Sequence, residues 1–473
     1  MTEDLPPEGD ASTESWWQVF RHALRGTGGD PTKGPLVRAI VLLAVPMVLE
    51  MAMESVFAIV DIFFVSRLGD DAIAGVALTE SVITLVYAAA MGLSIGVTAM
   101  VARRIGEGDE EGAARATVQA VALGAFLSLV LGVAGVVWAE DMLVLMGASD
   151  DTVRASLGYT QVMLGANAVI MLLFLQNAAF RGAGDAAIAM RVLWLANGLN
   201  IVLDPCLIFG LGPFPELGLQ GAAIATTIGR GTAVALQLYT LLRLDGRLRV
   251  RARHLRLRPA MMARLVRLSG AGTFQTFIEM GSWIALVRIT AAFGAEALAG
   301  YAIAIRVVLF GILPAYGLAN AAATLAGQGL GAGDPDRAER SVWVAAKMDL
   351  VFLSALGLVF IVFAPTIVSF FGGTGAASDY AVGCLRIVAA GFPFYAYGMV
   401  LTSAFNGAGA VWTPTFINIF CFWIWEIPLA WVLAFPVGLG PNGVFISIAV
   451  SYGMLALISA VLFKRGAWKS ATV

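Results

Sequence analysis

Residues 36–62 read LVRAIVLLAVPMVLEMAMESVFAIVDI. Apart from Arg38 near the start and Glu50, Glu54 and Asp61 further in, the run carries no charge. A helix that crosses a bilayer needs about 20 predominantly apolar residues, so this stretch is long enough to span with some tilt. Eleven similar blocks follow, at 72–98, 115–138, 153–179, 187–210, 218–242, 265–290, 297–325, 341–365, 380–405, 411–436 and 442–463. Over the 473 residues, 59% are hydrophobic and 13% charged. Soluble domains carry about 25% charged residues, so this composition excludes an ordinary soluble enzyme, a disordered chain and a coiled coil. The blocks are long and continuous, whereas a lipid-facing barrel would show short alternating segments. The expected fold is an all-α polytopic membrane protein of twelve transmembrane helices.

The chain divides accordingly into an N-terminal segment (1–35), a first six-helix lobe (36–242), a basic linker (243–264), a second six-helix lobe (265–463) and a tail (464–473). Of the 30 basic residues, 24 fall on one side if the N-terminus is inside. They include Lys33, Arg103, Arg104, Arg181, Arg337, Lys347, Lys464 and nine arginines between Arg243 and Arg267, against only Arg67 and Arg154 in outside loops. The positive-inside bias then places both termini and the linker in the cytoplasm of a cell-membrane protein. It also explains the arginine-rich linker without nucleic acid, leaving anionic lipid as a secondary partner. No cleavable signal peptide is evident, and Trp16, Trp17 and Phe20 are placed to touch the membrane surface. Cys206, Cys384 and Cys421 read as small buried residues, and His22 and His254 are too few and too far apart for a histidine metal site.

The two halves repeat at an offset of 225 residues. Leu68-Gly69 matches Phe293-Gly294, Ala74-Gly75 matches Ala299-Gly300, and Gly106-Glu-Gly-Asp109 matches Gly331-Ala-Gly-Asp334. Phe180-Arg-Gly-Ala-Gly184 matches Phe405-Asn-Gly-Ala-Gly409, and Glu54 matches Glu279; after a small deletion, Gly221 matches Gly443. An offset of six spans keeps both halves in the same membrane orientation, so the repeat is parallel, about an axis along the membrane normal. Two six-helix bundles facing each other leave a central cavity suited to alternating access.

Charges inside spans are costly and mark function by default. Glu50, Glu54 and Asp61 lie within about 40° on the helix wheel and over about 16 Å of span one. Asn197, Asn200 and Asp204 share one face of span five. Pro205 is expected to weaken that helix one turn earlier, freeing carbonyl oxygens. Thr226 and Thr227 of span six add hydroxyls. These oxygens suit a sodium ion or a proton, although Asn200 also reads as a helix–helix hydrogen bond. In the second half Gln275 and Glu279 share a face, with Arg306 or Arg386 as possible partners for Glu279. Phe392, Phe394, Tyr395, Tyr397, Trp423 and Trp425 offer an aromatic wall, alternatively an interfacial belt.

The run Val60-Asp61-Ile62-Phe63-Phe64-Val65 ending at Leu68-Gly69, the following Ala74-Gly75, the turn Arg181-Gly-Ala-Gly-Asp185 and the run Asn200-Ile-Val-Leu-Asp-Pro205 resemble the multidrug and toxic compound extrusion family over residues 36–464. The resemblance implies a secondary active antiporter that exports organic, cationic or amphipathic compounds against sodium or proton influx, working as a monomer with no cofactor beyond the ion. By motif it maps the ion site to Asp61, Asn200, Asp204 and Thr226, with sodium ligands among Asp61, Asn200 and Asp204. It identifies Glu279 with the first acid of a second-lobe pair whose other member is absent near Tyr395 and Ala396, which favours coupling in the first lobe. Glu50, outside the matched motifs, joins Glu54, Gln275, Glu279 and Tyr395 as a candidate substrate contact. A lipid-linked glycan or lipid flippase is the alternative, kept open by Arg288, Arg306 and Arg386. A membrane enzyme is disfavoured, since no nucleophile–base set and no phosphate-binding Gly-rich loop is visible.

Overall fold

The computed structural model describes residues 15–27, 34–243, 246–372 and 374–473. The expected Lys33 and most of the segment 1–35 lie outside them. Among the described residues no strand occurs. After α1 (Trp16–Arg25) come α2 (Leu36–Val65), α3 (Asp70–Gly106), α4 (Glu110–Val137), α5 (Ala139–Leu145), α6 (Asp150–Gly165), α7 (Asn167–Ala183), α8 (Ala186–Phe209) and α9 (Leu219–Arg243). The second set runs α10 (Pro259–Ala291), α11 (Ala295–Gly331), α12 (Pro335–Phe370), α13 (Gly375–Ala390), α14 (Phe392–Gly407), α15 (Trp412–Asn418), α16 (Ile427–Ala434) and α17 (Pro441–Lys464). Eight helices are long and apolar enough to cross a bilayer, and two bent pairs raise the number to ten. The more polar α9 and α10, either side of the linker, complete two sets of six.

The repeat appears in the packing. Gly92 of α3 lies against Thr273 of α10, and Gly317 of α11 lies against Val48 of α2. Gly106 rests on the Gln328 backbone, and Gly331 on that of Arg103. Each contact becomes the other when 225 is added to one partner and subtracted from the other, as a two-fold relation between parallel halves requires. A Cβ at any of these glycines would overlap its neighbour, so the lobes meet along backbones. The linker-side end of α11 is also tied to α7, by hydrogen bonds from Gln328 Nε2 to the Gly182 carbonyl (2.8 Å) and from Thr324 Oγ1 to the Arg181 carbonyl (3.3 Å).

Several expectations are corrected. The blocks 153–179 and 380–405 are not single helices: α6 and α7 meet at 41° around Ala166, and α13 and α14 at 57° around Gly391. The breaks are themselves 225 residues apart. In the first, buried Asn167 donates to the Leu164 carbonyl (2.6 Å), which the break leaves without its helical partner. In the second, Pro393 starts α14, where its missing N–H costs nothing. The block 411–436 holds a π-helical segment, Ile419–Glu426, between α15 and α16. Pro205 does not interrupt its helix, for α8 runs on to Phe209. Cys206 is only half-buried, unlike Cys384 and Cys421.

The linker and the tail are docked. His254 is buried and its Nε2 lies 2.6 Å from Glu111 Oε2; Arg253 also pairs with Glu111. Gln119 accepts from Arg258 N (2.8 Å) and donates to the Arg256 carbonyl (3.1 Å). In the tail, Trp468 is buried against Phe463, while the Ala471 and Val473 carbonyls accept from Arg103 (2.5 Å) and Arg264 (2.9 Å). Lys469 binds Glu339 (2.7 Å) and Asp336 (2.9 Å), carboxylates that hold its ammonium charged above the usual lysine range.

Candidate functional site in the first lobe

Two glycines bring α9 onto α8. Gly221 meets the Leu207 carbonyl, and Gly229 meets the Ala196 carbonyl and the Asn200 Cβ so closely that a side chain would force the helices apart. Their spacing of eight residues puts both on one helical face, with Thr226 between them. Asn200 (2% exposed), Asp204 (0%) and Thr226 (8%) thereby converge in the protein interior. With its amide oriented to satisfy both neighbours, Asn200 donates to Asp204 Oδ2 at 2.8 Å. It accepts from the Thr226 backbone N–H at 2.9 Å and from the Thr226 hydroxyl at 3.2 Å. Asp204 Oδ1 is left buried with no hydrogen-bond partner. Asp61 is half-buried on α2, the helix that packs along α8.

An unpartnered buried carboxylate oxygen is expensive, and a proton or a cation removes the cost. The Asp204 and Asp61 carboxylates and the Thr226 hydroxyl offer oxygen ligands, which fit a proton or a hard monovalent ion, while the Asn200 amide is engaged with Asp204 and Thr226. No cluster of three or more His, Cys, Asp or Glu side chains is present among the described residues. Of the four positions matched by motif, Asn200, Asp204 and Thr226 are hydrogen-bonded neighbours, and Asp61 stands on the helix packed along α8.

The other expected residues lie elsewhere. Glu50 is fully buried, its Oε1 bound at 3.0 Å by both Arg181 Nη1 and Asn177 Nδ2; Gln237 donates in turn to Asn177 (2.5 Å). Arg181, expected in an inside loop, thus sits in the lobe interior. Adding the offset to Glu50 and Arg181 gives Gln275 and Asn406, which also bond each other (3.3 Å). The ion pair of one lobe is an amide pair in the other. Glu54, half-buried, lies 3.9 Å from Arg230, whose guanidinium also faces the Phe57 and Tyr87 rings at 5.6 and 5.9 Å. Glu279 takes its hydrogen bond from Asn418 Nδ2 (2.5 Å) rather than from Arg306 or Arg386; the latter donates to the Ile361 carbonyl. The Tyr395 hydroxyl lies 3.2 Å from that of Tyr316, and its ring 4.3 Å from Tyr452.

Two buried acids carry more weight than their sequence context suggested. Asp349 of α12 has no exposure and no partner on either carboxylate oxygen; as an acid inside the block 341–365 it carried the same signal as Asp204, but without a matched motif around it. Glu426, which closes the π-helical segment, is 3% exposed and lies 222 residues after Asp204. That is the offset linking Gly221 to Gly443, so the shifted register was the available signal.

The family model MatE matches the chain twice, at residues 46–206 and 273–432. A probable multidrug resistance protein of Bacillus subtilis (strain 168), YoeA, is 26% identical over 90% of this chain and 93% of its own length. The FAD transporter of Shewanella oneidensis is 24% identical over 91% of this chain and 95% of its own. A solved structure of a multidrug resistance MATE family transporter of the MOP superfamily, in an outward-facing conformation, superposes with a TM-score of 0.88 at 26% identity, covering 94% of this chain and 99% of that one.

Proposed function

The chain belongs to the MatE family, a family of membrane transporters and not of enzymes, and on that premise we propose that it is a cation-coupled antiporter exporting organic compounds from the cell. The observation that carries the coupling is the orphaned Asp204 Oδ1 beside Asn200 and Thr226. An ion or proton entering there neutralises a carboxylate that is otherwise buried alone. Occupancy then favours the lobe arrangement that closes around it, which is what biases one conformation over another. The linker-side clasp at Gly106 and Gly331 corresponds to closure on one side of the membrane.

The substrate surface in this reading comprises Glu54, Gln275, Glu279 and Tyr395, while Glu50 is taken up by Arg181 and Asn177. Multidrug resistance relatives support organic export, and the relative from Shewanella oneidensis is a FAD transporter. Cationic or amphipathic substrates fit the acids of this chain best.

The test uses purified protein in vesicles with a sodium gradient or a proton gradient imposed alone. Asp204→Asn keeps the size and removes the exchangeable charge. Near-complete loss of gradient-driven dye export at normal insertion is expected, with Asp61→Asn similar and Glu279→Gln changing rate or range. Full export by Asp204→Asn would reject the site.

A further inference from the structure

Between α12, α14 and α17 the second lobe has an open groove of about 650 Å³, lined by Trp343, Lys347, Phe394, Tyr397, Leu457 and Lys464 among others. Phe394 and Leu457 are exposed on this outer face, giving an apolar floor. No carboxylate lines it. Two acids at the start of α12 are already engaged: Glu339 accepts from the Trp343 indole (3.4 Å) and, with Asp336, binds Lys469. Lys464 lies 5.9 Å over the Trp343 ring. Lys347 is exposed and makes no ion pair among the described residues, although it stands in the fourth turn of a spanning helix. A lysine there needs an anion or an escape to the interface.

The first lobe shows that the fold does not require these groups. At the repeat offsets, Trp343, Lys347, Tyr397 and Lys464 correspond to Val118, Ala122, Leu172 and Leu242. One lobe carries an entirely apolar face, and the other has two lysines and two aromatic rings in a recess.

We propose that this groove binds an anionic phospholipid from the leaflet on the linker side, with the phosphate between Lys347 and Lys464 and an acyl chain along Phe394 and Leu457. Two ammonium groups match a phosphodiester, and the Trp343 and Tyr397 rings line the same recess. The apolar floor selects a lipid over a free phosphate.

Native mass spectrometry of the delipidated full chain tests this with phosphatidylglycerol, phosphatidylcholine and glycerol phosphate as separate probes. Phosphatidylglycerol is expected to stay bound, and to bind roughly tenfold more weakly to the K347Q/K464Q variant, since each basic residue contributes to anionic-lipid affinity. K347R/K464R should retain it. If the neutral variant does not purify as a monodisperse protein, Ala460→Trp, which fills the groove without changing charge, should give the same loss. Equal retention by the neutral or filled variant, equal binding of phosphatidylcholine, or binding of glycerol phosphate as strong as that of the lipid would overturn the proposal.

Discussion

Glu50 and Arg181 show how one residue's meaning depends on its partner. Span one alone presents Glu50 as a third acid on a stripe with Glu54 and Asp61. In the folded chain Arg181 and Asn177 hold it, in a site with no exposure. Removing one member of a buried ion pair is costly because the other charge remains. Arg181→Met should therefore destabilise the protein by about 3–5 kcal/mol, read as a lower thermal midpoint in detergent. The double change Glu50→Gln with Arg181→Asn recreates the amide pair that Gln275 and Asn406 form in the other lobe. It should recover most of the loss. A double variant as unstable as the single one would argue against the equivalence.

At the scale of the elements, the first-lobe site depends on how closely α9 lies against α8. Gly229→Val would drive a side chain into the Ala196 carbonyl, 2.8 Å from the glycine's Cβ direction, and into Asn200 Cβ at 3.1 Å. The helices must separate, and Thr226 then leaves Asn200. The expected outcome is a severe loss of gradient-driven export with insertion retained, together with a smaller loss of stability. Gly231→Val, with only Val169 at 3.7 Å, should be tolerated in the same assay. Equal export by the two valine variants would show that helix separation does not set the site. Broken spans belong to this scale too. Ala166 itself favours helix, but Gly165 and Asn167 on either side do not; the break is held by Asn167 reaching Leu164 across the bend.

For the whole molecule, the clasp between Gly106, Arg103, Gln328 and Gly331 is the contact that must open if the lobes alternate. In a background with Cys206, Cys384 and Cys421 replaced by alanine, cysteines at Glu107 and Ala332 joined by a reducible thiol crosslinker should stop export, and reduction should restore it. Undiminished export by the crosslinked protein would exclude opening at this end. Single cysteines in the same background test orientation. The linker and the tail should label from the cytoplasmic side, and positions in 211–217 and 436–440 from the opposite side. Labelling of the linker only from outside would reverse the topology.

The sequence by itself determined that the chain is a helical membrane protein built from two parallel repeats. Apolar blocks of spanning length leave helices as the way to satisfy the backbone in lipid, and a fixed offset over six spans sets the relation of the halves. It also marked Asp61, Asn200, Asp204 and Thr226, since costly polar groups in apolar runs stand out one at a time. Only the tertiary structure decided which groups meet. Glu50 and Arg181 are 131 residues apart, and Asn418 reaches Glu279 across 139. Helical periodicity fixes a side chain's face but not the neighbour opposite that face. The missing partners of Asp349 and the groove under Lys464 follow from the same cause: each depends on how separate helices pack, and that packing is a property of pairs of surfaces distant in sequence.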